Sequence, residues 1–275
     1  MTTIQIQNLH QQILELYRVF VLPIITQYFN NTNIANEKVD IKNHKTLVTQ
    51  ADFAINEVLT EALCSFIPDS KVISEESKDN TIGEYTFIID PIDGTHTFAR
   101  NLDDWGISIV LYHKTVPIYS VIFYPNLKTE YFYAIKDIGA FDSNNCRVTR
   151  GEFFKFKPLF FCAPSSRQIG RALIDFTKGR QLSFGTQGSA VYAGYALFRG
   201  GADFILFDHL STWDVLGCIF IAEQIGLKVR WFGRQPIVNQ EDDITKINCT
   251  VMLYKPDFDP TLFDEIISVI DKNFL

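Results

Sequence analysis

The stretch FIIDPIDGTHTF, residues 87–98, constrains this chain most tightly. It drives an apolar run of strand-forming residues into Asp90 and Asp93, with Pro91 between them and Gly94-Thr95 directly after. A buried strand that ends in two carboxylates must offset the cost of desolvating them. Pro91 fixes φ, and a tight turn over residues 90–93 is expected to bring both carboxylates to one side of the backbone. Gly94 lets the chain pass close to a ligand. Thr95 places a hydroxyl where the next helix begins, beside backbone N–H groups of the kind that favour phosphate. The stretch reads as a site for metal plus phosphate, although Asp, Pro and Gly also make up ordinary polar turns.

Further carboxylates stand at element ends. Glu75 and Glu76 close the strand-like VISEES, Asp52 opens one apolar helix in VTQAD, and Asp214 opens another in TWD. Each has a separate explanation, a solvated loop for the glutamates and the helix dipole for the aspartates. Gathered in one cleft, Asp52, Glu75, Asp90, Asp93 and Asp214 would repel one another by roughly 4 kcal/mol per close pair unless cations intervened. A donor set of oxygens without His or Cys suits Mg²⁺. Covalent-aspartate phosphatases of the haloacid dehalogenase type need an Asp-x-Asp pair, and here Ile92 stands where the second carboxylate belongs.

At 275 residues, 47% apolar and 21% charged, the chain is long enough for one large domain or two fused lobes. Its net charge of −7 argues against a nucleic-acid partner, which needs a basic surface. The five cysteines are scattered without a CxxC pair and read as buried thiols of a cytoplasmic protein. MTTIQIQNLHQQ lacks the charge pattern of a signal peptide, and VFVLPII falls far short of the about 20 residues that span a bilayer, so no membrane association is expected.

Leu9, Ile13, Leu16 and Phe20 recur at helical spacing, and Pro23 is expected to kink or end that helix. A second helix over 51–67 turns Phe53, Ile55, Val58, Leu59, Leu63 and Phe66 inward. Short Ile-, Val-, Tyr- and Phe-rich runs at 71–74, 85–90, 105–113, 116–124 and 130–135 predict a mostly antiparallel sheet. Beyond residue 155, strand-like PLFFCA, ADFILF and LKVRW alternate with helical patterns near 189–199, 212–225 and 259–272, as in an α/β lobe. The expected seam lies at 145–155, dividing an N-terminal α+β lobe, 1–150, from a C-terminal α/β lobe, 151–275, that completes the site with Asp214.

VTQADFAINE, ISEES, IIDPIDGTHTF and STWDVLGCIFIAEQIG, in this order and at these separations, resemble the signature blocks of the inositol monophosphatase family of magnesium-dependent, lithium-sensitive phosphatases. GAFDSNNCRVT and GSAVYAGYALFRGGAD extend the resemblance over nearly the whole chain. The resemblance implies a layered αβαβα sandwich of the sugar-phosphatase type, a homodimer, and hydrolysis of a small phosphorylated polyol or sugar such as inositol 1-phosphate by metal-activated water. It implies a site for two or three Mg²⁺ ions, with Glu75, Asp90 and the Ile92 carbonyl on one and Asp90, Asp93 and Asp214 on a second. Asp52 and Thr95 match the water-activating positions. Asp93, Gly94, Thr95 and Asp214 match substrate-binding ones, with the backbone at Gly94 and Thr95 cradling the phosphate. Gly188, Ser189 and Ala190 match a segment near the substrate, and Ser165 is a further candidate.

Relatives in the wider family act on histidinol phosphate, fructose 1,6-bisphosphate or 3′-phosphoadenosine nucleotides. A catalytically idle regulatory relative would lack a metal carboxylate, whereas every expected position is filled here. The chain departs from the family pattern at Ser74, where Gly is usual, at His96 and Thr97, where Thr-Asn is common, and at Ile225. The acidic position that reads inositol falls on Phe207, with Asp208 beside it.

Overall fold

The computed structural model describes residues 1–29, 40–41, 47–48, 50–77, 81–151, 159–164, 167–180, 182–186, 188–208, 210–233, 238 and 250–273. The first helix, α1 (Thr3–Leu16), is capped by Thr2, whose hydroxyl accepts from the Gln5 N–H while the Gln5 side chain accepts from the Thr2 N–H. Leu9, Ile13 and Leu16 are buried as their spacing predicts, but Phe20 is exposed. Pro23 does not end the helix. A π-helical turn (Tyr17–Val21) leads directly into α2 (Leu22–Tyr28), with the Leu22 N–H donating to the Tyr17 carbonyl and Pro23, which has no N–H to continue the ladder, directly after it. The extra residue of the π turn shifts the helical phase, which accounts for Phe20 leaving the buried stripe.

A two-stranded ribbon, β1 (Asp40–Ile41) and β2 (Leu47–Val48), precedes α3 (Gln50–Phe66). Ile55, Leu59 and Leu63 of α3 are buried, whereas Phe53 is exposed and does not join that face. The following strands are β3 (Lys71–Ser74), β4 (Tyr85–Asp93), β5 (Gly106–His113), β6 (Val116–Phe123), β7 (Tyr131–Ile135) and β8 (Gly139–Asp142). They form one sheet in chain order, with β3 parallel to β4 and every later pair antiparallel. One short helix, α4 (Thr95–Phe98), interrupts them after β4.

The rest of the chain alternates β9 (Leu159–Pro164), α5 (Arg167–Thr177), β10 (Ser183–Thr186), α6 (Ala190–Phe198), β11 (Phe204–Asp208), α7 (Thr212–Gln224), β12 (Lys228–Phe232), β13 (Thr250–Tyr254) and α8 (Pro260–Asn273). The second sheet runs β10-β9-β11-β13-β12, with β9 parallel to both β10 and β11 and with β13 antiparallel to its neighbours.

Strand alternation then sorts the core into three layers. Phe87 and Ile89 of β4 point toward α1 and α3, where they pack with Leu9, Ile13, Ile55 and Leu59. Ile88, Val110 and Ile122 point the other way, onto Val191 of α6 and Val215 and Ile219 of α7, which also meet Ile205 and Phe207 of β11. The outer face of the second sheet, Phe204, Leu206 and Met252, is covered by Leu173 of α5 and Ile266 and Ile270 of α8. The architecture is a layered αβαβα sandwich whose middle helical layer packs against both sheets. Among the described residues no helix is long and apolar enough to cross a membrane.

Candidate metal centre and active site

Residues 90–93 do not form the expected turn. They continue β4, and the register against β5 jumps from Asp90 opposite Ser108 to Asp93 opposite Gly106. Two residues of β4 therefore face one of β5, which is a β-bulge. Plain alternation would place Asp90 with Ile88 on the middle-layer face and Asp93 on the opposite one. The bulge reverses the phase, so that Ile92 joins the core under α1 and α3 while Asp93 reaches α6 in the middle layer. Both carboxylates thus end on one face of the sheet, by an irregularity of pairing rather than by a reversal of the chain.

The middle layer brings the other acids to them. One oxygen each of Glu75, Asp90 and Asp214 lies within 4.8 Å of the others. Asp214 sits in the first turn of α7, where its Oδ2 accepts from the Ser211 N–H at 2.8 Å. Asp90 Oδ1 accepts from the Ile92 N–H at 3.0 Å, while its buried Oδ2 meets no hydrogen-bond donor among the described residues. Burial raises the Asp90 pKa well above the carboxylate range, and the charges of Glu75, Asp93, Asp214 and Asp52 raise it further. Asp214 is raised by burial and then by Asp93 and Glu75. Among the described residues, no Lys or Arg contributes to these shifts. A hard divalent cation fits such a donor set, because it would supply the missing positive charge and take up the unused oxygen of Asp90.

Asp93 is held differently. Its Oδ2 accepts from the Ser189 hydroxyl at 2.5 Å and from the Val191 N–H at 2.7 Å. Burial pushes its pKa up to about 6, against the lowering pull of these donors and of the Ala190 N–H. Gly94 follows at φ +90, and a β-carbon there would fall 2.8 Å from Ser189 Cβ and 2.9 Å from Thr97 Oγ1. Only glycine satisfies both the left-handed backbone and the approach of α6. The Thr95 hydroxyl lies 3.2 Å from Asp52 Oδ1 and 3.1 Å from the Ile92 carbonyl oxygen. With one proton it donates to one of them at a time. Asp52 is buried in the first turn of α3.

Asp52, Glu75, Asp90, Ile92, Asp93, Gly94, Thr95, Ser189 and Asp214 thereby gather around the C-terminal end of β4, with Gly188 and Ala190 beside Ser189. Ser165 lies outside the described residues. Phe207 is 1% exposed and packed in the middle core, and Asp208 is buried and accepts from the Thr250 hydroxyl at 2.6 Å. Cys218 is buried as expected, but Cys64 is only partly so and Cys146 is exposed in the turn after β8. The contact between Ser189 and Asp93 joins residues 96 positions apart. The one sequence signal for it is Ser189 itself, which also caps α6 by accepting from the Tyr192 N–H.

Known proteins resemble this chain in sequence and in fold. The family model described as inositol monophosphatase family matches residues 7–258. A 3′(2′),5′-bisphosphate nucleotidase, CysQ, of Haemophilus influenzae is 30% identical over 190 residues, 65% of this chain and 70% of that protein. A histidinol-phosphatase of Chlorobaculum parvum is 27% identical over 232 residues, 80% of this chain and 85% of the other. The structure of Staphylococcal inositol monophosphatase-1, soaked in LiCl, superposes with a TM-score of 0.78 at 18% identity, covering 99% of this chain and 97% of that one. That likeness supports the same fold. The match over 7–258, with the sandwich and the carboxylate cluster, makes the chain a phosphoric monoester hydrolase that belongs to the inositol monophosphatase family.

Proposed function

We propose that the protein is a Mg²⁺-dependent phosphomonoesterase acting on a small phosphorylated polyol or sugar. The observation that carries this reading is the convergence of Glu75, Asp90 and Asp214 with a buried, donorless oxygen of Asp90. Glu75, Asp90, Asp93, Asp214 and the Ile92 carbonyl would hold the metal, in two or three ions. When bound, Mg²⁺ supplies charge neutralisation of the phosphate oxygens and a lowered pKa for a coordinated water. When the Thr95 hydroxyl donates to Asp52 rather than to the Ile92 carbonyl, its own lone pairs are free to accept from a water beside it. Asp52 and Thr95 would orient that water and draw its proton away as its oxygen attacks phosphorus, while the P–O ester bond breaks and the departing alkoxide takes a proton from solvent to leave as the alcohol. Gly94 and the Gly188-Ser189-Ala190 segment bound the phosphate on the side of α6, and Ser165 is read as a further substrate contact.

Residues 1–150 are read as the lobe carrying most metal ligands and 151–275 as the lobe completing the site with Asp214. The free thiols of Cys64, Cys146 and Cys218 support a cytoplasmic setting, and the family resemblance supports a homodimer. The test is phosphate release from myo-inositol 1-phosphate, fructose 1,6-bisphosphate, histidinol phosphate and 3′-phosphoadenosine 5′-phosphate, each with Mg²⁺ and with chelator. Mg²⁺-dependent release with a clear preference for one ester is expected. Release that persists unchanged in chelator would contradict the proposal.

A further inference from the structure

The turn after β4 carries one side chain with no part in the arrangement described so far. His96 is exposed, and neither ring nitrogen has a partner among the described residues. Its backbone is fixed from both sides. The His96 carbonyl accepts from Arg100 Nη1 at 3.0 Å, and the buried Thr97 hydroxyl lies 2.7 Å from the Gly94 carbonyl and 2.9 Å from the Asp104 carbonyl. The ring is placed too. A β-carbon on Gly188 would fall 3.0 Å from His96 Cε1 and 2.8 Å from Thr97 Cγ2, so the imidazole lies against the bare Cα of Gly188. His96 therefore bridges the rim between the Gly94–Thr95 turn and the Gly188-Ser189-Ala190 segment, with its Cε1–Nδ1 edge toward Gly188.

We infer that His96 binds the alcohol half of the substrate, its ring nitrogen hydrogen-bonding a hydroxyl next to the ester oxygen, and that it thereby selects hydroxyl-rich esters. This rests on the phosphomonoesterase reading. A neutral imidazole presents one donor and one acceptor, which matches a hydroxyl in either sense. The neighbouring rim is acidic: Asp104 and Asp103 lie near enough to Tyr192 in the first turn of α6 for their charge to help hold its hydroxyl proton on. Negative charge there opposes a second phosphate and tolerates a polyol.

The test compares wild type, His96→Ala and His96→Gln on myo-inositol 1-phosphate and on phenyl phosphate, esters that share the phosphate and differ in hydroxyls. The ratio of kcat/KM for the polyol ester to that for the phenyl ester should fall about tenfold in His96→Ala, chiefly through KM, as for one lost hydrogen bond. It should recover in His96→Gln, whose amide again donates and accepts. An unchanged ratio in His96→Ala, or a Gln variant as impaired as the Ala variant, overturns the role of His96 while leaving the phosphatase intact. A wild type that hydrolyses neither of these esters but does hydrolyse another ester of the panel above overturns the role of His96 alone, whereas one that hydrolyses none of them overturns the phosphomonoesterase reading itself.

Discussion

Two buried charged sites in this molecule are built on opposite plans. At the adjoining ends of β11 and β13, Lys255 and Asp203, 1% and 2% exposed, pair at 2.9 Å, and Lys255 Nζ also lies 3.4 Å from the Gly200 carbonyl. The charge and its counter-ion are both in the sequence. At the end of β4, Asp90, Asp93 and Asp214 face one another with Glu75 and Asp52 nearby, and their carboxyl pKa values are all raised. A buried charge kept for architecture brings its partner along. A buried cluster of one sign is costly on its own, and that cost is what a cation binding there would relieve.

The sharpest way to break this contrast is to remove one carboxylate from the cluster. Asp90→Asn should lower kcat by on the order of 10³-fold or more while the fold stays intact by circular dichroism, because it would remove a proposed metal ligand and also relieve repulsion. Substantial turnover at saturating Mg²⁺ would contradict the assignment. Breaking the other site should do the reverse. Lys255→Met should leave Mg²⁺ binding unchanged but cost about 3–5 kcal/mol of stability in urea unfolding, since it removes the ammonium from a buried ion pair. Thr95→Ala should reduce kcat by about 10²-fold with little change in Mg²⁺ affinity, and an equal loss in both would contradict an orienting role.

The smallest expected effect is a pH dependence. Asp93 keeps its proton up to about pH 6 in the metal-free fold, and Asp90 and Asp214 titrate above their ordinary range. The stability that protonated Asp93 contributes is present below about pH 4 and is lost as pH rises through about 6, because the unfolded chain has already released the proton, and Asp90 and Asp214 act in the same direction. Mg²⁺ bound at these carboxyls would displace the protons, so a Mg²⁺-induced rise in Tm should grow between pH 5 and 7. A rise that does not change with pH would contradict the raised carboxyls. His10 acts in the other direction. Buried against Tyr133 and Tyr119, it has its pKa lowered to about 4, so its neutral burial favours folding increasingly from pH 4 to 6.5. That contribution is common to samples with and without metal and cancels in the difference.

Much of the site is legible in the sequence because Asp90, Asp93 and Asp214 interrupt or open apolar runs that otherwise need no charge. The strands from Lys71 to Ile135 are legible for the same reason, as short apolar runs bounded by turn residues. The bulge is not, because a count of two residues against one exists only once β5 is paired with β4. Nor is the π turn, whose extra residue changes which side of the helix Phe20 occupies. β8 and β10 are four residues long and β10 includes Gly185, so neither shows a sustained period. α5 does carry one, since Ile169, Leu173 and Phe176 recur at helical spacing and pack in the outer core. The bond from Ser189 to Asp93 depends on packing α6 against the first sheet, which local spacing does not encode. The core placement of Phe207 follows from strand parity, since it shares a face with Ile205.

The central claim is that the carboxylate cluster is a cation site, and Mg²⁺ binding to the folded protein tests it directly. Calorimetric titration at pH 7 should show saturable Mg²⁺ binding to wild type and to Lys255→Met, and a loss of at least about tenfold in affinity in Asp90→Asn. Equal binding by wild type and Asp90→Asn, or no saturable binding by the wild type, would contradict it.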